Sequence, residues 1–118
     1  MAAREQYFDQ VEKEFAAAGE AQRAGNHGKV RVCARRAVGH AISWFLSRLP
    51  QDGWGVDAMS RLERLREDTG FPREVREAAE RLTTKISERF TYPFSTKPIE
   101  DARIIVDAIV ERTRLDAD

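Results

Sequence analysis

A single cysteine, Cys33, stands in the 118-residue chain. No internal disulfide can form, and a metal site built on clustered thiolates is excluded. His27 and His40 are the only histidines to add to it, too few ligands for a structural zinc centre, so neither a metal nor a cofactor is expected. No apolar run approaches the ~20 residues that a bilayer span requires. The opening Met1-Ala2-Ala3-Arg4-Glu5-Gln6 also lacks the apolar stretch of a secretory signal. The expectation is a cytoplasmic protein with no membrane partner. Glycines do not assemble into a phosphate loop, because the nearest cluster, Gly25-Asn26-His27-Gly28-Lys29, follows no strand pattern. The nucleophile-elbow motif of serine hydrolases and the Glu-x-x-His spacing of di-iron bundles are missing as well.

What remains is a chain with 42% hydrophobic and 34% charged residues. That balance buries a core and leaves a heavily charged surface, and the length fits one domain over residues 1–118. Basic and acidic residues cancel to a formal net charge of zero, so no global field draws the chain to nucleic acid. Their distribution is uneven. Between Glu20 and Asp52 there is no acidic residue, whereas Arg23, Lys29, Arg31, Arg35, Arg36 and Arg48 fall within or beside that interval. Arginine predominates, and its planar fork suits phosphate and carboxylate alike. The plainer explanation is pairing with Glu5, Asp9, Glu12 and Glu14 of the preceding segment.

Periodicity is helical throughout. Over residues 3–24, Phe8, Val11, Phe15 and Ala18 recur at spacings of an amphipathic helix, which Gly25-Asn26-His27-Gly28 ends in a sharp reversal. Residues 29–49 form the expected central helix, with Val30, Ala34, Ala37, Val38, Ala41 and Phe45 on one side and small residues that admit close neighbours. Pro50 and the stretch Gln51-Asp52-Gly53-Trp54-Gly55 break it. A short third helix is capped by Asp57, carries Met59, Leu62 and Leu65, and stops at Thr69-Gly70. A fourth begins near Pro72 with Val75, Ala79, Leu82, Ile86 and Phe90 in register, and with Arg73-Glu77 and Glu77-Arg81 pairs on its exposed face. Phe90-Thr91-Tyr92-Pro93-Phe94-Ser95-Thr96-Lys97-Pro98 reads as an ordered crossing loop. The last helix starts near Pro98, capped by Ser95 or Thr96, and buries Ala102, Ile105, Ile109 and Leu115. With no strand pattern, the fold class is all-α, an antiparallel up-and-down bundle.

On a helix turning about 100° per residue, Lys29, Arg36, His40, Ser43 and Ser47 fall within a sector of roughly 60°. They form one polar stripe and are the candidate ligand-binding residues. Arg36 and His40, one turn apart, can converge on a single anionic group, with His40 able to exchange a proton near neutral pH. Arg35 lies about 140° from His40 on the same wheel. Packing roles compete with each of these: a satisfied interface histidine at position 40, a carboxylate partner for Arg36, and small packing residues at Ser43 and Ser47. Cys33 reads as a small buried hydrophobe, since no base stands by to activate it.

The succession of elements resembles the HEPN family, the higher eukaryote and prokaryote nucleotide-binding helical domains. The similarity rests on the leading Phe/Ala helix, the Gly-Asn turn, the run Val32-Cys33-Ala34-Arg35-Arg36-Ala37-Val38-Gly39-His40-Ala41-Ile42, the stretch Ala78-Ala79-Glu80-Arg81-Leu82, the stretch Arg89-Phe90-Thr91-Tyr92-Pro93, and Glu100-Asp101-Ala102 opening a final helix. The resemblance implies a bundle of four to five helices and a homodimer, often beside a minimal nucleotidyltransferase in toxin-antitoxin systems. Many such members are metal-independent endoribonucleases with an Arg-x4-His spacing, which Arg35 and His40 satisfy; Arg35, Arg36 and His40 are thus the catalytic candidates. Here the spacing lies in the second helix instead of a later one, and no histidine follows His40. The expectation is therefore a non-catalytic binding and dimerisation module contacting a nucleotide, RNA or a partner protein. An endoribonuclease and a purely structural helical partner are the alternatives.

Overall fold

The computed structural model describes residues 2–84 and 97–116. Among them the chain forms α1 (Ala2–Arg23), α2 (His27–Arg48), α3 (Ala58–Arg66), α4 (Arg73–Thr83) and α5 (Pro98–Asp116), with no strand. It is an all-helical bundle. α1 turns Val11, Phe15, Ala18 and Ala21 inward and closes on Gly25, whose φ of 74° is the left-handed conformation that lacks a steric penalty only for glycine. There Gly25 N–H donates to the Gln22 carbonyl and Asn26 N–H to the Ala21 carbonyl, the paired bonds that terminate a helix in a Schellman turn. Asn26 at once becomes the N-cap of α2, its side chain accepting from Lys29 N–H at 3.1 Å. His27 and Gly28 consequently open α2 and do not lie in the turn, because one Asn suffices to cap both helix ends.

α2 is the central helix, touching each of the other four. The alanines that the pattern placed on its inner side, Ala34, Ala37 and Ala41, are fully buried, and neighbouring backbones come close where no bulky side chain intervenes. Arg48 ends the helix, Leu49 N–H closing on the Phe45 carbonyl, and Pro50 forbids a further turn. The following loop is not a mere breaker. Trp54 is 2% exposed, packs edge-on against Phe45 at 5.7 Å, lies under the Arg64 guanidinium at 4.7 Å and donates from Nε1 to Gln51. Its companion Trp44 is half-buried between Tyr7 and Phe8, bonded to Thr113 and flanked by Arg48.

Asp57 caps α3 by accepting from the backbone and the hydroxyl of Ser60, as its position before an apolar-periodic run predicts. α3 stops at Arg66, earlier than Thr69-Gly70, and Asp68 builds the reversal by accepting from Gly70 N–H. Pro72 immediately precedes α4, which buries Val75, Ala78, Ala79 and Leu82. α4 ends at Thr83, with Thr84 extended at φ −68° and ψ 130°. The Thr83 and Thr84 hydroxyls donate back to the Ala79 and Glu80 carbonyls, a competition with the backbone ladder that sequence periodicity does not register. Ile86, Phe90 and residues 90–96, including the caps expected at Ser95 or Thr96, lie outside the described residues. Ala102, Ile105 and Ile109 of α5 are buried; the Leu115 side chain is not among those described.

One contiguous core joins all five helices through Phe15, Ile42, Phe45, Leu62, Leu82 and Ile105. Burying each large side chain is worth roughly 1.5 to 3 kcal/mol. Of the surface pairs expected on α4, Arg73 and Glu77 meet at 3.1 Å. Arg81 does not pair with Glu77. It forks onto Asp101 of α5 at 2.8 and 3.0 Å, a carboxylate 5% exposed, and this partner holds the guanidinium still more firmly charged than usual. No helix among the described residues is long and apolar enough to cross a membrane.

Candidate functional site: a cationic cleft between two helices

The acid-free interval divides between two destinations. Arg31 and Arg35 face α4. Arg31, only 4% exposed, donates from Nη2 to the carbonyls of Arg81, Leu82 and Thr84 at 2.9 to 3.2 Å. Arg35 donates from Nε to the Leu82 carbonyl at 2.8 Å. The last carbonyls of a helix have no intrahelical donor and carry partial negative charge, so these arginines satisfy the α4 terminus from across the bundle. The charge pattern of this stretch is thus partly a packing device, with backbone carbonyls among its acceptors.

Arg36 turns the other way. It is exposed, and with Gly39, His40 and Ser43 it forms one wall of a shallow cleft of about 210 Å³, whose other wall is Val56, Ala58 and Arg61. α2 runs unbroken from His27 to Arg48, so Arg36, His40 and Ser43 share a face as the wheel requires. Close approach of α3 depends on Gly39, since a Cβ there would lie 3.3 Å from the Ala58 Cβ. The loop before α3 turns at Gly53 and Gly55, with φ of 90° and 70°. Adding a Cβ at Gly55 would bring it within 2.8 Å of Ser60.

Arg61 is the member that the sequence did not single out. Its Nε donates to the Gly55 carbonyl at 3.3 Å and its Nη1 to the Gly39 carbonyl at 3.2 Å, while the Ser43 hydroxyl accepts from the same Nη1. These bonds tie α3, α2 and the intervening loop together and hold the guanidinium in place. His40 Nε2 stands 3.6 Å from the half-buried Glu14 carboxylate of α1. Asp57, beside the cleft wall, is bound into the α3 cap. Its bonds from Ser60 hold its carboxyl below the ordinary aspartate range, so it stays ionised.

Of the stripe read from the wheel, Arg36, His40 and Ser43 therefore meet at one site. Lys29 is exposed at the start of α2 and Ser47 is exposed near its end, its hydroxyl bonded to the Trp44 carbonyl; neither lines the cleft. Arg35, the arginine of the Arg-x4-His spacing, is likewise absent from the cleft that holds His40, as its angular offset on the helix requires. Cys33 is buried, and no group of metal-ligating side chains occurs among the described residues. Chemically the cleft offers cationic donors from two helices, a hydroxyl already engaged and an apolar rim at Val56, which is 90% exposed. No family model, curated protein or solved structure matches the chain.

Proposed function

We propose that the protein is a HEPN-like, non-catalytic binding and dimerisation module that receives an anionic group of a nucleotide, RNA or a partner protein between α2 and α3. One observation carries the reading: Arg36, His40 and Arg61 converge on a single cleft from two helices, although other arginines of the same stretch are absorbed by the α4 terminus. Its place beside a nucleotidyltransferase in a toxin-antitoxin pair, and its residence in the cytoplasm, belong to the same proposal through the family resemblance. Salt-dependent binding of nucleotides, RNA and acidic peptides to purified protein, measured alongside its mass in solution, tests it. Binding that weakens with salt and fails in Arg36→Glu supports the module. A monomer that binds none of these probes overturns it.

The structural alternative draws on the engagement of Arg31 and Arg35 with α4 carbonyls and of His40 with Glu14. It predicts that truncating Arg31 or Arg35 lowers stability while ligand binding stays intact. For an endoribonuclease, Arg36 would have to replace Arg35 beside His40, and His40→Ala would have to abolish cleavage in a folded protein.

A further inference from the structure

We infer that the α2–α3 cleft anchors a carboxylate of a partner polypeptide whose neighbouring side chains are apolar; this rests on the anion-binding reading above and names the chemistry of the partner. Among the described residues only two large apolar side chains are exposed, Val32 at 39% and Val56 at 90%. A lone surface valine is ordinary and calls for no explanation. These two, however, both stand beside Arg36. Val32 lies one turn before it on the same face of α2, about 6 Å along the axis. Val56 shares the cleft lining with it. The chain holds Val56 outward by fixing the residues on either side. Trp54 is 2% exposed and bonded to Gln51, the Gly55 carbonyl accepts from Arg61 at 3.3 Å, and Asp57 is bound into the α3 cap. The valine has no slack with which to turn inward, and a partner that covers it removes apolar surface from water.

Charge decides what lies between the valines. Arg36 is exposed and makes no hydrogen bond or ion pair to another described residue, so its fork is free to grip an anion with two parallel bonds. Arg61 adds a positive charge fixed in place by the Gly39 and Gly55 carbonyls and the Ser43 hydroxyl. Glu14, 3.6 Å from His40, offsets part of what the histidine contributes and leaves the two arginines to attract the anion. Carboxylate and phosphate both accept such a grip, and the valines separate them. A hydrated phosphate gains nothing from an apolar wall, whereas a polypeptide carries apolar side chains one or two residues from its carboxylates. Size agrees. A cleft of about 210 Å³ falls below the ~300 to 1,000 Å³ of sites that enclose a whole small ligand, and it suits one side chain of a larger partner. A charge pair ringed by apolar contacts that exclude water is how protein interfaces concentrate their binding energy.

The test titrates the protein into short, end-capped fluorescent peptides that carry one glutamate with leucines at adjacent or next-but-one positions. Control peptides replace the leucines by serine, or the glutamate by glutamine. A labelled RNA oligonucleotide of mixed sequence, a mononucleotide and inorganic phosphate complete the panel. We expect the leucine-flanked glutamate peptides to bind best and to weaken with added salt. They should lose about tenfold in Arg36→Ala, about fivefold in Val56→Ser and about twofold in Val32→Ser, the worth of one charge-assisted contact and of two partly covered valines. All three side chains are exposed, so each variant should keep the helical circular dichroism of the parent. Equal binding of the serine-flanked peptides, or unchanged binding in Val56→Ser, overturns this inference while the anion-binding reading survives. RNA, mononucleotide or phosphate binding as tightly as the best peptide overturns the polypeptide as the occupant and again leaves that reading in place. Equal binding of the glutamine peptides, or binding of no probe at all, overturns both together.

Discussion

Arg35 and Arg36 are neighbours in sequence, identical in chemistry and opposite in fate. Arg35 is half-buried and spends its Nε on the α4 terminus; Arg36 is exposed and borders the cleft. The difference is about 100° of helical rotation, which sends one side chain toward orphan carbonyls and the other toward solvent and α3. A cluster of like charges in a sequence is therefore not one feature. It is as many features as there are faces to receive it, and the face on which a side chain lies decides whether a ligand can reach it.

The contrast breaks most visibly on the α4 side. Arg31→Ala removes a buried guanidinium from three carbonyls and should cost about 3 kcal/mol, given ~1.5 to 3 kcal/mol for hydrogen bonds to a charged group. Urea denaturation is the measurement, and an effect below about 1 kcal/mol would show that the terminus finds other donors. Next in size is Gly55→Ala. It combines a left-handed backbone with a Cβ 2.8 Å from Ser60, and the expected loss is about 2 kcal/mol, with the Arg61 anchorage disturbed as well. Arg36→Ala sharpens the comparison from the other side. Its melting curve should stay within about 0.5 kcal/mol of the parent while salt-sensitive binding falls, the reverse of the Arg31 result.

The smallest effect is on acid stability. Arg103 forks onto Glu12 at 2.9 and 3.0 Å and lowers the carboxyl of Glu12 below its ordinary value of 4.5. A group whose folded value is depressed adds stability above its unfolded value and loses it as pH falls through the folded one. The pair should therefore contribute in full near neutrality and fade below about pH 4.5. Glu12→Gln should flatten that part of the pH profile slightly, since the pair is largely solvent-exposed. An unchanged profile would mean that the bond does not persist in solution.

Much of this was legible in advance. Asp57 and Pro98 mark helix starts by local chemistry alone, and the alanine side of α2 follows from spacing. So does the convergence of Arg36 and His40, because a helix wheel needs only an unbroken helix. What escaped depends on partners distant in sequence. Arg61 on short α3 looks like an ordinary solvated charge until α3 is placed against Gly39, 22 positions away. Gly39 and Gly55 were the available signals, glycines in positions where close approach or an unusual backbone needs them. The early end of α4 escaped because a threonine pair turns its hydroxyls back on the helix, which apolar periodicity cannot express. Arg81 illustrates the same limit: its local partner Glu77 was visible, and its buried one, Asp101, was not.

Trp54 gives the cleft an intrinsic fluorescent label. Its indole is 2% exposed and lies two positions before Val56 on the cleft wall, whereas Trp44, in the last turns of α2, is only half-buried. A dissolved quencher such as iodide should silence Trp44 first. The emission that survives then comes from the loop bearing Gly55 and Val56, and a change in its wavelength on adding an anion would report occupancy without any attached dye.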